Sequence, residues 1–215
     1  MASVPTGTIF SVATAFAAAK TVSGISNATE AVVSSTAHGF STGDIVQLYS
    51  GWGRLNRRVV RVKSSLADSF VAEGINTVNT DFFPSGSGGG SVRKVTTFQQ
   101  INKIVNPASS GGEPKNITVK FLESDVEDSI NDGFTAVTES FEIDADEFGG
   151  TAYAALVQLS EVQTDTVLKK TLRSGAIILT PSRVSLNENV KMTDGQIMTN
   201  AVSINGNGKI TRYVS

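Results

Sequence analysis

Three kinds of chemistry could be drawn from the rarest residues of this chain. His38, the single histidine, could act as a general base. Trp52, the single tryptophan, could stack on a nucleobase or a sugar, and Arg54, Arg57, Arg58 and Arg61 could hold anions. All six lie within residues 36–62, TAHGFSTGDIVQLYSGWGRLNRRVVRV. Each template then lacks its other members. A Ser-His-Asp triad would have to use His38, yet no Gly-x-Ser-x-Gly elbow occurs to present the serine. AHGF and STGD read instead as turns flanking a strand, with Gly39 and Gly43 easing the backbone and Asp44 bonding its local backbone.

A single-strand nucleic-acid binder needs several stacking rings along a basic groove, and Trp52 with Tyr49 is a sparse platform. Alternation in RRVVRVKSS turns Val60 and Val62 inward and Arg57, Arg61 and Lys63 outward, which favours salt-bridged contacts between subunits. GSGGGS fits neither Gly-x-Gly-x-x-Gly nor the P-loop pattern. Counting an EF-hand from Asp125 puts Ile130 where glycine is required. No catalytic residue, cofactor or metal ligand is assigned.

Composition narrows the classes further. A net charge of −2 supplies no global attraction to nucleic acid or to an anionic membrane. The absence of cysteine excludes disulfides and thiolate ligands and fits synthesis in a reducing cytoplasm. The apolar run Phe10 to Ala19 lacks a basic stretch before it, so a signal peptide is not expected, and no run is long enough to span a bilayer. With 40% hydrophobic and 18% charged residues, the chain reads as folded and mainly β.

The elements that must position these residues follow from short β-branched runs bounded by Gly, Asn and Ser. Strands are predicted at 8–16, 31–36, 44–50, 57–64, 69–73, 91–97, 99–105, 116–123, 134–143, 172–180, 183–191, 198–205 and 209–214. One helix is predicted at 151–164, capped by Thr151, with Tyr153, Leu156, Val157 and Ser160 on one face. Residues 10–22 alternate like a strand and then turn alanine-rich like a helix. The Asn-Gly pairs in SINGNGKITRYV predict a hairpin over 198–214. FFPSGSGGGS (82–91) and NPASSGGEP (106–114) are predicted to be extended loops able to wrap a neighbouring subunit.

Charge divides the chain. No Lys or Arg occurs from Phe121 through Leu168, where Glu123, Asp125, Glu127, Asp128, Glu139 and Glu142 belong to a larger set of acids. Arg54, Arg57, Arg58 and Arg61 form the opposite sector, and two such sectors can join copies head to tail.

ITVKFLESDVEDSINDGFTAVTESFEIDAD, then GTAYAALVQLSEV, then LRSGAIILTPSRVSLNE and a closing ITRYV resemble the major tail tube proteins of long-tailed, non-contractile bacteriophages. The stretch AHGFSTGDIVQLYSGWGRLNRRVVRV, with FVAEGINTVNTDFFPSGSGGGSVRKV, resembles a small β module found inside such phage proteins. The resemblance implies two packed antiparallel β-sheets with one flanking helix. Residues 1–30 and 96–215 would form that core and 31–95 an inserted module. It further implies a structural virion protein, not an enzyme, assembling into stacked hexameric rings around a channel for DNA. Its partners would be copies of itself, the tape-measure protein and other tail proteins, with DNA passing unbound and no membrane involved. Synthesis would fall in the bacterial cytoplasm. Glu123, Asp125, Glu127, Asp128, Glu139 and Glu142 would then line the channel, and Arg54, Arg57, Arg58 and Arg61 would sit at subunit interfaces. The competing reading is a decoration or tail-tip module that binds a host glycan through Trp52 and Tyr49.

Overall fold

A computed structural model describes residues 6–214, and in it every paired strand runs antiparallel. The first half gives β1 (Ile9–Phe16), β2 (Lys20–Val22), β3 (Gly24–Ile25), β4 (Val32–Ser34), β5 (Ile45–Ser50), β6 (Val59–Ser65), β7 (Ser69–Ala72) and β8 (Gly90–Ile101). Strands β2 to β7, with the start of β8, enclose a core of their own, including Leu48, Trp52, Leu55, Val60, Val62 and Phe70. That core draws on residues of 31–95 and also takes in Val22 and Ile25, before residue 31. The ambiguous 10–22 stretch is two strands, not a helix.

Predicted strand 91–97 and the start of 99–105 are one long strand, β8, which ties module to body, while the end of 99–105 opens the next strand. Its N-terminal half pairs β5 and β2, and its C-terminal half pairs β1. Gly90 makes the junction possible, because a Cβ there would run into the Tyr49 carbonyl.

The second half gives β9 (Ile104–Ser110), β10 (Pro114–Val119), β11 (Asp128–Phe134), β12 (Thr138–Asp144), α1 (Thr151–Val162), β13 (Thr166–Thr171), β14 (Ile177–Leu186), β15 (Thr199–Gly206) and β16 (Thr211–Tyr213). The path β8-β1-β13-β14-β15-β12-β9 forms the body, and β10 pairs only with β11 in a separate two-stranded sheet. Helix α1 buries Ala152, Tyr153, Leu156 and Leu159 against the body, over Val12, Phe141, Leu168, Val184 and Ile204. Gly150, not Thr151, is its N-cap and offers no side-chain bond; Gln163 closes it in the left-handed region with its N–H on Leu159 O. The module packs on the opposite face through Val59, Val167, Leu179 and Tyr213.

Four predicted elements differ. The 106–114 loop is largely strand β9, which tolerates Pro107 because it lies at the sheet edge. A strand within the acidic run, β11, pairs Ile130 with Ile117 of β10. The predicted strand 172–180 contains a turn, Leu172 to Ala176, with Gly175 at φ +86°. The predicted strand 183–191 is the far end of β14, which stops at Leu186.

The C-terminal hairpin is also absent: β15 and β16 both pair with β14, one after the other. Pro181 explains the interruption. It has no N–H to give, so the ladder stops at Ser182↔Gly206 and resumes at Leu179↔Thr211, and residues 207–210 bulge out between. Gly206 and Gly208 are not among the residues with positive φ, so the Asn-Gly pairs make no primed turn.

Candidate assembly surfaces

The residues that suggested chemistry are mostly structural. His38 is buried, its Nδ1 accepting from Phe40 N at 3.0 Å while Nε2 lies 3.2 Å from the Ser69 carbonyl, so it closes a turn. Asp44 accepts from Ser41 N at 2.8 Å, as expected of a local backbone bond. Trp52 is 2% exposed, donates to Pro84 O at 2.8 Å and packs edge-on against Phe83. A glycan platform on Trp52 is therefore ruled out by burial. The 82–91 segment is a loop up to Gly89; buried Phe83 and that indole bond anchor it on its own module, while Phe82 stays 46% exposed.

The four arginines divide. Arg61 holds Glu73 in a two-pronged pair at 2.5 and 2.7 Å, with Tyr213 Oη accepting from Arg61 N at 2.8 Å. The guanidinium bond holds the Glu73 carboxyl below its usual value. Arg57 pairs with Asp165 at 3.1 Å. Asp165 also accepts from Arg183 and from the bulged Asn207, each at 2.8 Å, and its backbone oxygen accepts from Arg93 at 2.8 Å. Asp165 thus fastens module, β14 and bulge together, a role no local spacing could reveal, since its partners lie far away along the chain.

Arg54 and Arg58 have no carboxylate among the described residues. Arg54 stacks over Phe82 at 3.3 Å, and Arg58 Nε donates to Thr211 Oγ1 at 3.2 Å. Burial pulls the Arg58 guanidinium below its usual value.

The acids divide as well. Glu139 is 4% exposed and bonded through both oxygens to Lys170 Nζ at 2.5 and 2.6 Å. Glu142 points to the other face of β12, where Lys191, Thr199 and Asn106 donate to it at 2.8, 3.0 and 3.1 Å and hold its carboxyl below the usual range. Around it the uncovered face of β12, β14 and β15 carries Ser140, Ser185, Ala201, Ser203 and Asn205 in register. This neutral face was missed because small polar residues carry no motif.

Glu123, Asp125, Glu127 and Asp128 sit elsewhere, at the end of the β10–β11 arm. The arm has no substantial contact with any other element, and nearly every residue in it is exposed. Ile117 and Ile130 face each other across the strands at 48% and 54% exposure, while Phe121, Leu122 and Val126 stand bare at the tip. A lone two-stranded hairpin is marginal in water, so an apolar arm of this kind implies a surface to lie on.

A β body with a bare apolar arm and an open edge strand defines a structural subunit made to meet others. Comparison with known families bears this out: the model for the phage tail tube protein family (TTP) matches residues 50–215, and the chain belongs to that family. It is a structural tail tube protein, and the matched span runs from inside the module to the C-terminus. Among solved structures, a chain from the tail of an empty GTA particle, determined with helical refinement and C6 symmetry, is similar at 14% identity. That match covers 54% of this chain and 87% of the other with a TM-score of 0.42. No curated protein matches the sequence.

Proposed function

We propose that copies of this chain close into rings, six-membered as the resemblance implies, that stack into the hollow tube of a virion tail through which DNA passes. The observation that carries this is the arm. Heterologous contacts that close by rotation give both the arm and the open β9 edge a partner, which a free monomer lacks. Tape-measure and other tail proteins would meet the tube inside or at its ends.

The small polar face beside Glu142 is proposed as the channel wall. DNA holds to surfaces in proportion to the phosphates they neutralise, so a face of Ser, Ala and Asn on which Glu142 is already paired with Lys191 and Arg183 with Asp165 gives the duplex little to grip. Glu139, buried against Lys170 on the opposite face, is left out of the proposed wall. The arm acids stand clear of that wall and suit a contact between copies.

Replacing Ile117 and Ile130 together with Asp tests the reading. The isolated variant is expected to melt with the wild type yet to give no rods in negative stain, where the wild type gives them at high concentration. Rods of normal length from the variant would overturn it.

A further inference from the structure

We propose that the acidic tip of the arm docks into a cationic seam on a second copy, formed by Arg54, Arg58 and Lys209. This rests on the tail tube reading and names the partner surface within it.

The seam is created by the break at Pro181. Because the β15–β16 strand must bulge there, Lys209 is carried out of the ladder and toward the module. The bulge is packed hard against the module's loop: a Cβ on Gly208 would lie 3.5 Å from Arg57 Cβ and 2.9 Å from Pro181 Cγ. Arg58 spans this seam, its Nε donating to Thr211 Oγ1 at 3.2 Å just past Lys209, and none of Arg54, Arg58 and Lys209 has a carboxylate among the described residues. They feel one another, since burial together with Arg58 and Arg54 pulls the Lys209 ammonium below its ordinary value. Like charges brought together without a counter-ion cost stability in the free chain, and an incoming anion relieves that cost.

The same chain carries the missing anion. At the arm tip Glu123, Asp125 and Glu127 have no cation partner among the described residues, and the tip projects away from its own body. Tip and seam also agree in their apolar parts. Phe121 and Leu122 are exposed at 56% and 106%, and the seam offers Phe82, stacked under Arg54 and 46% exposed. One contact would therefore answer two separate vacancies, an uncompensated charge on each side and an uncovered apolar surface on each side.

Charge reversal provides the test. Arg58→Glu with Lys209→Glu, and separately Glu123→Lys with Asp125→Lys and Glu127→Lys, are each expected to stay folded by circular dichroism. Each should raise the concentration needed for rod formation about tenfold or more, as expected of like charges set opposite one another. Placing both sets in one chain should restore rods. Cysteines at Asp125 and Lys209 in the otherwise cysteine-free chain should give a ladder of cross-linked multimers on oxidation. Rods indifferent to either single set, or a base-set defect that the acid set fails to rescue, would overturn the seam while leaving the tube reading intact. A wild-type chain that never polymerises would remove both.

Discussion

The module and the arm are both β excursions from one body, and they solve burial in opposite ways. The module folds its strands around Trp52, Phe70 and Leu48 and is then fixed by Asp165 and Tyr213. The arm folds back only on itself and leaves Leu122 fully bare. An excursion with its own core completes itself within one chain, whereas one without a core leaves its apolar side chains uncovered. Exposed apolar residues therefore point to the assembly surface better than the rare residues do, because rarity in this chain follows packing.

The comparison breaks most sharply at Trp52. Truncation to Ala should cost about 3–5 kcal/mol in urea unfolding, because it empties a filled core. Leu122→Ala should stay within about 0.5 kcal/mol in the isolated chain, as expected of a bare surface side chain. If the two cost the same, the arm is packed against its own body and the contrast fails.

Next in size is the fastening between module and body. Asp165→Ala should cost about 1–3 kcal/mol, since it strands several donors, although water screens the half-exposed arginines. It should also make the module more open to protease than the body, a readout that a general loss of stability would not give.

Acid gives the smallest effect. Glu73 has its carboxyl depressed below 4.5 by Arg61, so the fold favours its ionised form. Its contribution is complete above 4.5 and fades as pH falls through the depressed value. Glu73→Gln should flatten that part of a plot of stability against pH, and an unchanged plot would remove the Arg61 pairing as its cause.

Much of the body was legible in the sequence, because β-branched runs report burial directly and the helix face of Tyr153, Leu156, Val157 and Ser160 caught Tyr153 and Leu156, though Leu159 rather than Ser160 completes the buried side. What escaped has physical reasons. SINGNGKITRYV carries a turn signal, yet Pro181, far away along the chain, decides that it forms a bulge. Strand β11 is mostly polar, with Ile130 and Phe134 its large apolar residues, and exposed nearly throughout, so its pairing with β10 is visible only in the fold. The basic cluster was legible as a cluster, but not its division: Arg57 and Arg61 meet acids far off in sequence, and Lys209 joins the unpaired pair only through the bulge.

The position of β1 bears on how the chain is made. Its two edges are completed by β8, near residue 100, and by β13, near residue 170. A ribosome therefore releases β1 well before β13, the later of the two strands that enclose it. The module, whose pairings close by Gly90–Ile101, has all its partners much earlier. Synthesis thus favours a finished module beside an unfinished body, with β1 among the last strands to be covered.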